Sequence, residues 1–440
     1  ALACAAAIPP GLRALECDAA EGGGRERGAC AAAAAGDGPD PGGVGASGLL
    51  RWRGYPYSVS NPRFARAIYG GEYISTAFKD RGFEGPVDGE DWDILWTHRP
   101  QSSTLASVSL PPRTGQRLVN HCMYFSAAGD KCFFARHTSN ILRRHNESSR
   151  GWRYLRTFEL SDEAQRGSWQ REVRAAPGRY WLLKPCSGGG SKGIQVLRGG
   201  ELLAAQAQLG PPTVAQEFVE RPFMHGGRKF HLRLYVLVTR WDPVGAYVFN
   251  DGVVFRSVPK QTGTPSVARD IFSGISASVE AIPLAAIWQF LDDNAARQSG
   301  AGRQGDGPGR PGGPVPASAV WSRILQVLRE LLGSRPLNVQ GAAAPEALGA
   351  RRGYACFDLF GADVLLDDQL WPLVMEINTG PNLWVDDRRE EHIEQLIAIK
   401  KPLIDQVVHW AALRSSTPPS SPAEAEKIEG LALPNFTRLL

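Results

Sequence analysis

The chain has 440 residues, 49 basic against 45 acidic, and a net charge of +4. At roughly 100–200 residues per domain this length holds several domains and a sizeable core. An apolar fraction of 43% and a charged fraction of 21% are those of a globular protein, and so small a net charge excludes a nucleic-acid footprint built on bulk charge.

Residues 1–48 are rich in Ala and Gly, lack aromatics and show no periodicity, which reads as disorder. The first residue is Ala, which reads as a fragment or a processed product. From Leu49 to residue 117 aromatics occur at globular density, marking an N-terminal domain in which Asp91–Trp96 predicts a short strand. Seven cysteines are scattered without a CxxC pair, so neither a disulfide scaffold nor a zinc ribbon is expected, and a reducing compartment is. No run of 18 apolar residues exists, so no membrane-spanning helix is expected.

The middle of the chain carries the first chemical signal. Trp181–Pro185 is an apolar strand that delivers Lys184 to the run Cys186-Ser187-Gly188-Gly189-Gly190-Ser191-Lys192-Gly193, after which a strand resumes at Ile194. Only nine of the 49 basic residues are Lys, so a Lys here is more informative than an Arg. Such a loop exposes backbone N–H groups that can close over phosphates; an unliganded hairpin tip is the alternative. It is not a P-loop, because no helix follows the Lys. Val214–Val219 reads as a second short strand, whose edge could face a base. In His231–Val238, Leu232, Leu234, Val236 and Val238 share one face while His231, Arg233 and Tyr235 share the other. Asp251-Gly252 between two apolar runs predicts a hairpin turn that sets Tyr247 opposite Arg256.

Towards the C-terminus, Gly300–Pro316 is breaker-rich and reads as a linker or insertion. Apolar residues at 3–4 spacing predict helices over 321–332 and 389–412, and the Ser/Pro run after Arg414 reads as a tail. Between them, Gly361–Asp367 and Leu373–Asn378 read as an antiparallel pair closed around Gln369-Leu370. Asp363 then lies opposite Glu376, with Asn378 on the same face. Opposed like charges destabilise a strand pair unless a cation lies between them. Two carboxylates and a carboxamide are hard oxygen ligands suited to Mg²⁺. A solvated acidic face is the alternative, which the apolar flanks disfavour.

Taken in order, Lys184-Pro185…Gly193-Ile194, Gln216–Val219, Arg228–Arg233, Asp251–Arg256, Phe360–Asp367 and Met375–Pro381 resemble the tubulin–tyrosine ligase-like family of ATP-grasp ligases. Val119-Asn120-His121 and Asp93–Thr97 are similar to its upstream signature, and the resemblance covers about residues 50–410. It implies an α+β ATP-grasp fold, two lobes clasping a nucleotide beside a smaller N-terminal α/β domain. The expected partition is 1–48 disordered, 49–117 N-terminal domain, 118–219 central lobe, 220–412 C-terminal lobe with a flexible insertion at 298–318, and 413–440 tail. The implied activity is ATP-dependent ligation: a protein carboxylate becomes an acyl phosphate and the amine of a free amino acid displaces the phosphate.

Site residues follow by the same resemblance. Lys184, Ser187, Gly188, Gly189, Gly190, Lys192 and Gly193 would bind the phosphates of ATP, and Lys229 and His231 would also contact the nucleotide. Gln216, Glu217, Phe218 and Val219 would hold adenine. Lys229, Arg233 and Arg256 would surround the transferred phosphoryl group, and Asp363, Glu376 and Asn378 would bind Mg²⁺. The chain departs from the family at His231, where Asp is usual; at Arg136-His137, read at the place of a Lys-Asp pair; and at Asp270–Gly274, in place of His-x-Thr-Asn. The expected acceptor is a tubulin C-terminal tail or another acidic protein, with glutamate or glycine rather than tyrosine as the added amino acid. The expected protein is a cytoplasmic monomer at the cytoskeleton or cilium, binding neither nucleic acid nor membrane. The alternative is a pseudo-ligase that binds nucleotide and docks on microtubules without chemistry.

Overall fold

The structure, a computed structural model, describes residues 51–55, 71–85, 92–97, 117–122, 128–144, 153–187, 193–205, 213–257, 279–300, 314–333, 354–383 and 393–440, all within one unit, Leu49–Leu440. In chain order the elements are β1 (Trp52–Tyr55), α1 (Gly71–Lys79), β2 (Ile94–Thr97), β3 (Arg117–Val119), α2 (Lys131–Arg144), β4 (Arg153–Tyr154), β5 (Thr157–Glu159), α3 (Glu163–Ala175), β6 (Tyr180–Pro185), β7 (Gln195–Arg198), α4 (Gly199–Ala205) and β8 (Thr213–Glu217). Then follow β9 (Met224–His225), β10 (Arg228–Trp241), β11 (Val244–Ser257), β12 (Val279–Pro283), α5 (Leu284–Gly300), α6 (Ala317–Gly333), β13 (Tyr354–Cys356), β14 (Asp358–Leu366), β15 (Pro372–Asn378), α7 (Ile393–Ser416), α8 (Pro422–Ala432) and β16 (Phe436–Arg438). The segment read as disordered, 1–48, lies outside the described residues, as do Gly188–Lys192, Asp270–Gly274 and residues 301–313 of the expected insertion. The flanks of that insertion are helical, 298–300 closing α5 and 317–318 opening α6. No described helix is long and apolar enough to cross a membrane.

A four-stranded parallel sheet has the order β1-β2-β3-β13. Strands β2 and β3 are buried along their whole length, as parallel strands covered on both faces are. Asn120 clips this sheet, accepting from the Thr97 amide at 2.6 Å and donating to the Thr97 carbonyl at 2.7 Å. His121 Nε2 lies 3.0 Å from the same carbonyl, so the Asn-His pair is buried architecture. The domain boundary expected at 117/118 falls inside β3, and β13, from far downstream, completes the sheet.

A second sheet, antiparallel β5-β8-β6-β7, carries α3 on one face through Trp169 and Val173 against Trp181 and Leu183. The helix starts at Asp162, whose carboxylate accepts from the Gln165 amide at 2.8 Å, an ordinary N-cap. The third sheet runs β12-β11-β10-β14-β15-β4, with β9 and β16 paired onto β10 and β11. Alternation along β10 sends Leu232, Leu234, Val236 and Val238 to a core shared with Val320, Ile324, Val327 and Leu331 of α6. It sends Tyr235 and Leu237 to the opposite core, shared with Leu396, Leu403, Val407 and Trp410 of α7. The predicted helices at 321–332 and 389–412 are therefore α6 and α7. Strand β4, from inside the expected central lobe, pairs with β15 of this large sheet.

Three expectations are overturned. Asp251-Gly252 does not turn: β11 runs straight through it, and the reversal lies between Trp241 and Val244. Leu234 pairs with Gly252 while Val236 pairs with Val248, so β11 bulges at residues 249–251. A β-carbon on Gly252 would stand 2.7 Å from the Arg233 carbonyl oxygen, so the glycine serves close strand approach. Tyr247 consequently faces Leu237, not Arg256.

The tail, second, is folded. Ser421 caps α8, accepting from the Glu424 amide at 3.3 Å, and β16 pairs with Tyr247–Phe249. Buried Glu429 accepts from Tyr247 Oη at 2.5 Å and Arg240 Nη1 at 3.1 Å. The Ser/Pro run reads as a linker because capping and turning use the same residues.

Third, cysteines do pair: Cys122 with Cys356 and Cys132 with Cys186, at sequence separations of 234 and 54. Contacts that distant leave no spacing signature, and the parallel pairing of β3 with β13 creates the first of them.

Candidate active site

The site lies where the large sheet faces the small one. Strand alternation puts Lys229, His231 and Arg233 on one face of β10, and Arg233 pairs in register with Asp363 of β14. Asp363 in turn pairs with Glu376 of β15, the pairing expected, although by a register shift: nearer the turn Val364 pairs with Val374, one residue off the register closed around Gln369-Leu370. Arg233 forms a two-pronged ion pair with Asp363, its Nη2 donating at 2.9 Å, and Asn378 Nδ2 donates to the same carboxylate at 3.0 Å. Burial would raise the Asp363 pKa, but the Arg233 guanidinium overrides it and holds the carboxyl below the usual carboxylate range. Gly361 makes room for this pair: a β-carbon there would come within 2.6 Å of Arg233 Cδ. Since its amide nitrogen faces Asp363, the Asn378 carbonyl oxygen is the atom offered to a cation.

The small sheet supplies the opposing wall. Lys184, buried on β6, donates to Gln216 Oε1 at 2.6 Å. Gln216 Nε2 donates to Thr157 Oγ1 at 3.0 Å and to the Met375 carbonyl at 3.3 Å, which ties the small sheet to β15. Burial lowers the Lys184 pKa; Glu376 and Asp363 oppose this and Lys131 adds to it, so the ammonium faces the acidic cluster. Lys229 Nζ sits 4.9 Å over the Phe218 ring. Burial, and then the charge of Lys184, push its pKa down to about 8. Among the described residues Lys229 forms no ion pair. Two buried ammonium groups that repel each other are each favoured by an anion placed between them.

His231 packs its ring 5.3 Å from that of Phe255. Burial lowers its pKa, as do Arg233 and Lys229, while Asp363 and Glu376 oppose, so a neutral imidazole stands where the family has Asp. Other predicted residues are placed differently. Arg256 neighbours Phe255 on β11 and so points to the opposite face from Arg233, which stacks on Phe255 at 5.4 Å. Arg256 donates to Glu280 at 2.8 Å and meets His225 Nδ1 at 3.0 Å, while Arg228 shares Glu280 at 2.9 Å. Glu217 is held by Arg156 at 3.0 and 3.1 Å, Phe218 is buried beneath Lys229 and beside the Tyr180 ring, and Val219 packs against Leu155, Leu365 and Leu373. The side chains of Gln216 and Glu217 are thus engaged within the protein, leaving backbone groups as contacts for a base. Ser187 is exposed, and Gly193 adopts φ +73°, a conformation that favours glycine. Gly188, Gly189, Gly190 and Lys192 lie outside the described residues.

Sequence reasoning missed Lys131, the first residue of α2, whose Nζ lies 3.5 Å from Glu376 Oε2. Its being one of nine lysines in an Arg-rich chain was the available signal. The positions read at the place of a Lys-Asp pair are elsewhere: Arg136 lies 3.4 Å from Glu159, and buried His137 meets the Leu331 carbonyl at 3.1 Å. Five and six residues beyond Lys131 they project from other sides of the helix. The cation required between Asp363 and Glu376 is therefore partly supplied from within, by Arg233 and Lys131.

Comparison with known proteins places this geometry in context. The profile of the tubulin-tyrosine ligase family matches residues 114–261 and 313–421. Human tubulin monoglutamylase TTLL4 is 26% identical over 357 residues, covering 76% of this chain and 26% of that protein. Human tubulin polyglutamylase TTLL6 is 25% identical over 343 residues, 73% of this chain and 35% of that protein. Human tubulin polyglutamylase TTLL7 is 23% identical over 350 residues, 74% and 36% respectively. The chain thus spans about a quarter to a third of the length of these relatives.

Proposed function

The chain belongs to the tubulin-tyrosine ligase family, whose fold is of the ATP-grasp kind, and we propose that it is an ATP-dependent ligase adding glutamate to carboxylates of tubulin tails. One observation carries this: buried Lys184, on the small sheet, faces the acidic pair Asp363 and Glu376 of the large one, and buried Lys229 of β10 lies close enough to feel the Lys184 charge. A triphosphate fits the lysines, whose positive charges burial disfavours unless an anion joins them. Mg²⁺ fits the oxygen donors of Asp363, Glu376 and Asn378, and when bound would neutralise phosphate charge. The names of the relatives favour glutamate over glycine or tyrosine.

In this reading Lys184 and Lys229 bind phosphates, Gly193 approaches them closely, and backbone groups of Gln216–Val219 meet the base. Arg233, fixed by Asp363, stands ready to receive charge developing on the transferred phosphoryl group. The acceptor carboxylate becomes an acyl phosphate, and the amine of free glutamate displaces the phosphate to form an amide. The small sheet excludes water from that intermediate. The complete oxygen-donor set supports a working ligase over a nucleotide-binding scaffold. A monomer associated with the cytoskeleton is the corresponding cellular form.

The test is ATP-dependent incorporation of labelled glutamate, glycine and tyrosine, each separately, into tubulin by wild type and Lys184→Ala. Glutamate incorporation lost with Lys184→Ala supports the proposal. ATP binding without incorporation of any of the three overturns it in favour of the scaffold.

A further inference from the structure

Cys132 and Cys186 have no place in the ligase reading, yet they stand beside its site. Cys186 immediately follows the strand that carries Lys184, and Cys132 follows Lys131 in the first turn of α2. Their Cα atoms are 5.0 Å apart, within the disulfide range of about 4.4–6.8 Å. The Lys131 amide donates to the Cys186 carbonyl at 2.8 Å, so backbone already joins the two elements. Ala135 and Val214 complete the small apolar cluster in which both sulfurs are buried. Asp130 is close enough to both sulfurs to suggest a metal site. Its carboxylate, however, caps α2, accepting from the Cys132 and Phe133 amides at 3.0 Å each. Even reduced, the pair offers two thiols and one carboxylate already committed, short of the four ligands of a structural zinc site.

We infer that Cys132 and Cys186 form a reversible disulfide that sets nucleotide affinity by fixing the strand end bearing Lys184 to the helix start bearing Lys131. The inference rests on the nucleotide-site reading above. With a peroxide as oxidant, the two thiols lose two protons and two electrons, one S–S bond forms, and hydrogen peroxide leaves as two waters. In the thiol state the backbone hydrogen bond between Lys131 and Cys186 remains as the tie between the elements. In the disulfide state the spacing of the two lysines is set before the anion arrives, so less ordering is required on binding.

The experiment uses the full chain, reduced with dithiothreitol or oxidised with hydrogen peroxide. Peptide mass mapping identifies the bond, and calorimetry measures MgATP binding. Expected are a Cys132–Cys186 cross-link and MgATP affinity about threefold to tenfold tighter in the oxidised protein. Cys132→Ser and Cys186→Ala should each abolish the redox difference, whereas Cys356→Ser, which removes the other pair, should keep it. Equal MgATP affinity in both states overturns the inference and leaves the nucleotide site standing. Failure of peroxide to form the cross-link overturns it, as does stoichiometric Zn²⁺ binding by the reduced protein that requires Cys132. A mapped cross-link with no MgATP binding in either state overturns the nucleotide reading and this inference together.

Discussion

Asp363 and Glu376 face each other across β14 and β15, and each carboxylate has a basic side chain of its own: Arg233 bridges Asp363, and Lys131 approaches Glu376 to 3.5 Å. Opposed carboxylates at this spacing would push the strands apart. The two pairs are not equivalent. Arg233 is locked to Asp363 through two prongs, while Lys131 reaches a Glu376 that remains about a quarter exposed, at 27%. Asp363 is thereby the fixed member of the pair and Glu376 the looser one, which in the proposed reading would exchange Lys131 for a metal ion.

That asymmetry makes Glu376 the informative substitution. Glu376→Gln should reduce glutamate incorporation about 10²- to 10³-fold, the loss associated with one preorganised electrostatic contact. Stability should change by no more than about 1 kcal/mol, because the Lys131 pair is partly solvated. Steady-state ligation and thermal unfolding measure the two quantities, and near-normal turnover would refute the metal assignment.

Lys229 makes the site sensitive to pH. Its pKa is about 8 in the folded chain against 10.5 for an unperturbed lysine, because burial and Lys184 disfavour its charge. Between those values the unfolded chain binds more protons, so the stability of the nucleotide-free protein should rise with pH across this window. Below pH 8 the full cost of the buried charge is present. MgATP affinity should run the other way, falling as pH rises through 8 and the ammonium is lost. Calorimetric titrations from pH 7 to 9.5 should show this inflection in wild type and not in Lys229→Met.

Gly252 tests the bulge. Gly252→Ala places a β-carbon 2.7 Å from the Arg233 carbonyl, where only backbone could yield. The expected destabilisation is about 1–3 kcal/mol, typical of overpacking. Ligation should fall as well, since the displaced backbone carries Arg233. Denaturant unfolding at the parent slope would measure the first effect, and an unchanged midpoint would show that β11 does turn at Asp251-Gly252.

Glu429 tests whether the C-terminal segment is part of the fold. It is buried between Arg240 and Tyr247, so Glu429→Ala removes the nearer of two carboxylates from a largely buried guanidinium and leaves it Glu426 at 3.4 Å. Losing one buried charged hydrogen-bond partner costs about 1–3 kcal/mol. A lowered Tm, partly restored by Glu429→Gln, is the expected result; an unchanged Tm would return residues 422–440 to the status of a tail.

What the sequence determined by itself was local and periodic. Alternation along His231–Val238 placed Arg233 and His231 together, because a strand's side-chain period of two leaves no other choice. The expected pairing of Asp363 with Glu376 is present, but only a register shift beside Val364 restores it, since nearer the turn Val364 pairs with Val374 and Leu366 with Pro372. The 3–4 spacing of α6 and α7 was equally legible. The rest depended on contacts between distant segments. Lys131 reaches Glu376 across 245 residues of chain, and no pattern near either announces it. Arg256 lies one residue from the correct face, and the Asp-Gly turn was lost to a bulge set by the approach of Arg233. The disulfide partners, the completion of the parallel sheet by β13 and the docking of β16 belong to the same class. Local propensity sees only neighbours in sequence, whereas burial, charge pairing and close packing act between whichever segments the sheets bring together.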